Sequence, residues 1–149
     1  MSSGANPGAN SGGTRVTVPP VMLIRVEDTM DTMIARNTAR RAASLLGFSS
    51  SSRAQIATAV AALTDIILNA EGHQVIHLHG LRNGMQLGIQ VSCEAPWLAS
   101  ASHENALIAL RSKLGDMMDE VDLEAGSPPR IKMVMWLSGA RATQVTGSV

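Results

Sequence analysis

The feature that most narrows the fold is a run almost without charge. From Thr58 to Gly72 only Asp65 is ionised before the closing Glu71 and Gly72. Ile56, Ala59, Val60, Leu63 and Ile67 recur at helical spacing, so the stretch predicts a helix whose apolar stripe must be covered by another layer. Ser49 to Ser52 supply hydroxyls suited to capping its N-terminus, and Gly72 stands where it would close.

The rest of the chain has to supply that layer. "VMLIRVE", after Pro19-Pro20, reads as a strand. "DTMIARNTARRAASLLGF" puts Met33, Ile34, Thr38, Ala42 and Leu45 at helical spacing, with Gly47 as its stop. "QVIHLHG" alternates, Ile76 and Leu78 against Val75, His77 and His79. After the turn signal "LRNG", Leu87, Ile89, Val91 and Cys93 share one parity in "MQLGIQVSC". A third helix is expected through "HENALIALRSKLGDMMDEV", then a Gly-Ser-Pro-Pro turn and a last strand, "RIKMVMWL". The order β-α-α-β-β-α-β predicts an α+β, two-layer sandwich with helices on one face of a mostly antiparallel sheet. Residues 1–14 and 139–149 read as flexible tails around one domain at 15–138, because they hold little to bury.

Composition excludes several roles. Twelve basic and twelve acidic side chains cancel, leaving no net field to attract nucleic acid or an anionic membrane. One Phe, two Trp and no Tyr make a poor platform for stacking bases. The single cysteine, Cys93, cannot form an internal disulfide and suits a reducing cytoplasm. The N-terminal segment has no signal-peptide core, and no apolar stretch reaches membrane-spanning length. A cytoplasmic protein is expected.

Each candidate motif has a plain reading. His77 and His79 have the spacing of two metal ligands, but Cys93, the obvious third, belongs to the apolar parity, so solvent-facing histidines and no metal are expected. The serine run reads as capping, without a His–Asp pattern for a nucleophile. The nine methionines read as pliable core filler. Arg36, Arg40 and Arg41 form either a solvated helix face or a docking face for an acidic partner. No phosphate-cradling glycine loop is present.

The element order and "LIRVEDTMDTMIARNTARRAASLLGFSSSSRAQIATAV", with "LGDMMDEVDLEAG" and "IKMVMWL" further on, resemble the small bacterial serine kinases that act as anti-sigma factors and switch proteins. These belong to the GHKL ATPase superfamily, and the likeness is greatest to stressosome switch kinases of the RsbT type. It covers about residues 21–137 and implies the same α/β sandwich.

What the resemblance implies about chemistry is a loss. The family's second helix carries a Glu that polarises the attacking group and, four residues on, an Asn that holds Mg²⁺; the matching positions are Ala62 and Ile66. Neither offers the oxygen that Mg²⁺ requires. The family's Asp-x-Gly-x-Gly, which reads adenine, matches "CEAPW", with Cys93, Ala95 and Trp97 in place of Asp and the two glycines. Its Gly-rich lid matches "HENALIALRSKL", which has no glycine and reads as helix. Asp65 and Asn69 form the one pair that could rebuild a metal site.

The expectation is a degenerate, cofactor-free member that works in partner switching by binding proteins. Its partner would be a STAS-domain antagonist, a sigma factor, a phosphatase or phosphatase activator, a kinase paralogue or a second copy of the chain. An active Mg-ATP-dependent serine/threonine kinase with a rebuilt site is the alternative, and a His77/His79 metal module a weaker third.

Overall fold

The computed structural model describes residues 14–70 and 72–137. The tails expected at 1–14 and 139–149 lie, Thr14 apart, outside the described residues. The elements are β1 (Arg15–Val26), α1 (Asp31–Leu46), α2 (Ser50–Asn69), β2 (Gln74–Asn83), β3 (Gln86–Glu94), a 3-10 turn (Pro96–Leu98), α3 (His103–Leu114), β4 (Glu120–Glu124) and β5 (Arg130–Trp136). One antiparallel sheet runs in the order β1-β2-β3-β5-β4. All three helices pack on one face of it, as the α+β reading expects.

The core lies between the layers. Ile24, Val26, Ile76, Leu78, Ile89, Val91, Cys93, Ile131 and Met133 point inward from the sheet. They meet Ile56, Val60, Leu63 and Ile67, the predicted stripe of α2, all fully buried. Ser49 caps α2 by accepting from the Ser52 N–H at 3.2 Å. The helix ends at Asn69 rather than at Gly72, whose N–H folds back onto the Ile67 carbonyl at 3.1 Å.

α1 departs from the expected stripe. Its buried residues are Ala35, Ala39, Ala42, Ala43 and Leu46, while Met33, Ile34 and Leu45 are 68 %, 56 % and 66 % exposed. The buried arc is made mostly of methyl groups, which lets α1 lie close against α2 and the sheet. A large side chain on that arc would hold the helix away, so the bulky residues fall on the other side. Met30 and Met85 are exposed as well, so the core-filler reading holds for Met118, Met133 and Met135 but not for Met30, Met33 and Met85. Gly47, at φ 94°, ends α1 as predicted and donates to the Ala43 and Ser44 carbonyls.

Two further corrections concern lengths. The third helix stops at Leu114, and Glu120–Glu124 forms β4, a fifth strand, instead of extending the helix. Its burial alternates, Val121 and Leu123 in and Asp122 out, a short period-two signal beside the helical pattern of "ALIALRSKL". β1 begins at Arg15 and passes through Pro19-Pro20 as a bulge between Val18 and Val21. Residues without N–H groups are tolerated there because β1 is an edge strand.

The sheet is strongly curled. β1 and β4 are its opposite edges, which would lie about 19 Å apart in a flat five-stranded sheet. Yet Arg15 of β1 grips Glu120 of β4 with two hydrogen bonds of 2.9 and 3.0 Å. Arg15 also lies 5.1 Å from the centre of the Trp136 ring, whose Nε1–H donates to Glu120 at 3.0 Å. Two glycines permit the curl. A Cβ on Gly80 would come within 2.7 Å of the Val18 and Pro19 carbonyls, and one on Gly88 within 2.7 Å of the Trp136 ring.

These contacts set two expectations. Ala39→Leu should destabilise the fold by about 1–3 kcal/mol through overpacking, whereas Met33→Ala or Ile34→Ala should change stability by no more than about 0.5 kcal/mol; urea unfolding measures both. At Glu120, burial opposes the charge, but hydrogen bonds from Arg15 and Trp136 and the nearby cations outweigh it and hold the carboxyl below its ordinary 4.5. A folded value below the unfolded one means that this stabilisation is complete above 4.5 and lost as pH falls through the folded value. Glu120→Gln should therefore lower the melting temperature at neutral pH and flatten its decline below pH 4.5.

Candidate functional site

Of the positions matched to nucleotide contacts, Ile66 of α2 and Trp97 of the 3-10 turn come together, among mostly apolar groups. Ala62 and Ile66 are half-buried and packed against the core. Ile66 meets Trp97, Leu98, Ala106, Ala109, Leu110 and Lys113 around a notch of ≈ 110 Å³. Small-molecule pockets run to about 300–1,000 Å³, so the notch is well short of one for a nucleotide. Among the described residues, Lys113 is its one ionisable lining group.

Neighbouring positions follow the same pattern. Cys93 and Ala95 are fully buried, and burial pushes the Cys93 thiol up to about 12. The "HENALIALRSKL" stretch is continuous helix, α3, capped by Ser102, which accepts from the Asn105 N–H at 3.3 Å. Asp65 and Asn69 share one side of α2, and both are exposed. They face solvent and do not line the notch beside Ile66.

Arg36, Arg40 and Arg41 are all exposed on α1. Among the described residues none of the three forms an ion pair. At roughly 100° per residue, Met30, Ile34, Arg41 and Leu45 fall along one line of the helix. Met33 sits beside that line, with Arg36 and Arg40 on its flank. Sequence reasoning found the arginines but assigned Met33, Ile34 and Leu45 to the core; the alanines four apart, Ala35–Ala39–Ala43, were the signal for the true buried side. Asp31 anchors the start of this helix, its carboxylate accepting from the Asp28 and Glu27 N–H groups, which hold its pKa below the ordinary value.

His77 and His79 stand on the outer face of the sheet, as their parity predicts, but half-buried in a cleft rather than open to solvent. The imidazole of His79 is 2.9 Å from the Gly80 carbonyl through Nδ1 and 3.3 Å from Gln90 Nε2 through Nε2. Nδ1 therefore donates and Nε2 accepts, which commits both nitrogens to protein partners. Cys93 is on the opposite face. Among the described residues, no group of three or more His, Cys, Asp or Glu side chains is arranged to hold a metal ion, and no helix is long and apolar enough to cross a membrane.

The buried thiol gives a direct check of this packing. Cys93 should resist a disulfide reagent at pH 8 in native protein and react only at the rate at which the chain opens, while the denatured chain reacts at once. Fast native labelling would mean that β3 is exposed where the structure buries it.

A scan against protein-family models and a search of characterised proteins find no match to this chain.

Proposed function

We propose that the chain is a regulatory protein-binding module that acts without ATP and receives an acidic partner segment on the exposed face of α1. The observation that carries this reading is the make-up of that face. Met30, Met33, Ile34 and Leu45 are each more than half exposed, and Arg36, Arg40 and Arg41 lie among them. An apolar patch rimmed by charge is characteristic of an interaction surface. Methionine adapts to a partner's shape, and arginine pairs bidentately with carboxylates. A complementary amphipathic segment would carry aliphatic anchors flanked by Asp or Glu.

The family likeness supports a partner-switching role in the cytoplasm. On that likeness the partner is a STAS-domain protein, a sigma factor, a phosphatase component or a kinase paralogue. The small, mostly apolar notch beside Ile66 supports binding without phosphoryl transfer. A space that small, lined mostly by apolar groups, is a poor fit for adenine or Mg²⁺.

Two measurements test the reading. Millimolar Mg·ATP should leave the melting temperature unchanged, although a ligand at a hundred times its Kd would add about 2.7 kcal/mol; an upward shift lost in the Asp65→Ala/Asn69→Ala variant would instead establish the kinase alternative. Calorimetric titration with a purified STAS-domain protein or sigma factor should give binding that weakens at least about tenfold, or 1.4 kcal/mol, when Arg36, Arg40 and Arg41 are changed to Glu. Met33→Ser/Ile34→Ser should weaken it similarly without lowering the melting temperature. Binding indifferent to both sets of changes would move the interface off α1.

A further inference from the structure

The outer face of the sheet, opposite the helices, holds a second feature that α1 does not explain. A cleft of ≈ 360 Å³ is lined by His77, His79, Gln90, Ser92, Glu124, Arg130 and Lys132. Strand register builds its floor. Ser92 of β3 is paired with His77 of β2 on one side and Lys132 of β5 on the other. One step along, Arg130 stands between Glu94 and Glu124.

Ser92 is the unusual member. It is 96 % buried by the side chains around it, at 4 % exposure, yet lines the cleft. Among the described residues its hydroxyl has no hydrogen-bond partner, although His79 and Gln90 beside it are bonded to each other. A buried hydroxyl without a partner is costly, and such groups in folded proteins usually meet a ligand or water.

The cations beside it are weakly held. Lys132 is 3.4 Å from Glu124 and Arg130 is 3.7 Å from Glu94, both longer than the roughly 2.7–2.9 Å of a strong charged hydrogen bond. Pairs this open contribute little to stability, so an incoming anion can draw both cations toward itself. His77 also has no hydrogen-bond partner among the described residues and can donate from its ring. Two cations, a hydroxyl and an imidazole around one floor suit a small, multiply charged oxyanion.

We propose that this cleft binds a phosphate group, with Ser92 and His77 donating to its oxygens, Lys132 and Arg130 neutralising its charge, and Gln90 held in place by His79. Glu124 is the opposing element, a carboxylate on the rim that competes for Lys132. The cleft exceeds the size of bare phosphate, leaving room for the substituent of a small phosphomonoester. The site is separate from α1, and its ligand would be held on the face that the proposed protein partner leaves free.

The test is a two-dimensional amide NMR titration of the intact protein at constant ionic strength, with inorganic phosphate and O-phosphoserine in parallel. Constant ionic strength removes the general screening that any salt produces. Saturable shifts centred on His77, Ser92 and Lys132 are expected, with phosphoserine the tighter of the two. Phosphate binding tighter than phosphoserine would keep the site but overturn its assignment to a monoester. Lys132→Gln should weaken binding at least tenfold, and Ser92→Ala severalfold without lowering the melting temperature, since it removes an unpaired hydroxyl. Glu124→Gln should tighten binding severalfold. Shifts that chloride reproduces, that survive Lys132→Gln, or that weaken in Glu124→Gln would overturn the proposal.

Discussion

The close seat of α1 on α2 and the sheet governs how the rest of the molecule is arranged. It depends on Ala35, Ala39, Ala42 and Ala43, which together form an almost continuous buried strip. Methyl groups bury little area each, so the strip stabilises through proximity and dispersion rather than through large hydrophobic transfer terms. The major apolar burial is delegated to α2, where Ile56, Val60, Leu63 and Ile67 are fully enclosed. One helix is thus the core of the layer and the other its skin. Its outer side carries Met33, Ile34 and Leu45, with Met30 at the N-cap, as an exposed apolar surface.

The curl of the sheet gives the opposite face its own character. A flat antiparallel sheet with one open side would present an even polar surface. Here the bulge at Pro19-Pro20 and the missing side chains of Gly80 and Gly88 bring the two edge strands within reach of one arginine. Arg15, Trp136 and Glu120 then close one end of a trough. Inside it Leu81 and Val134 become buried although they lie on the outer side. Concavity converts what would be solvated strand residues into a cleft with a floor, and Ser92 is that floor.

Strong, local periodicity was legible in the sequence and long-range geometry was not. The α2 stripe, the alternation of β2 and β3, the Ser49 cap and the Gly47 stop all follow from spacing and local chemistry, and all are present. α1 was legible as a helix but not in orientation, because a hydropathy reading ranks Met33, Ile34 and Leu45 above the alanines that pack. β4 was hidden because five residues of alternation follow directly on a helical pattern that can absorb them. Among the candidate site residues, Arg36, Arg40 and Arg41 stood out as charges, whereas their apolar companions became visible only once the buried side of the helix was known. Ser92 carried no signal at all; its setting depends on neighbours in β2 and β5 far along the chain.

Ser92 and Cys93 show how much rests on register. They are consecutive in β3, and strand alternation sends one to the outer cleft and the other into the core. The thiol is buried among aliphatic groups, and that burial pushes it up to about 12. The hydroxyl, one residue earlier, faces cations and an imidazole. A shift of one residue in the pairing of β3 would exchange them, placing the thiol beside Lys132 and an unpaired hydroxyl in the core. That exchange is opposed on the β5 side of the strand. Gly88 must lie under the Trp136 ring, where any Cβ would collide. One of the two glycines that let the sheet curl, Gly88, therefore also helps decide which side chains of β3 face the cleft.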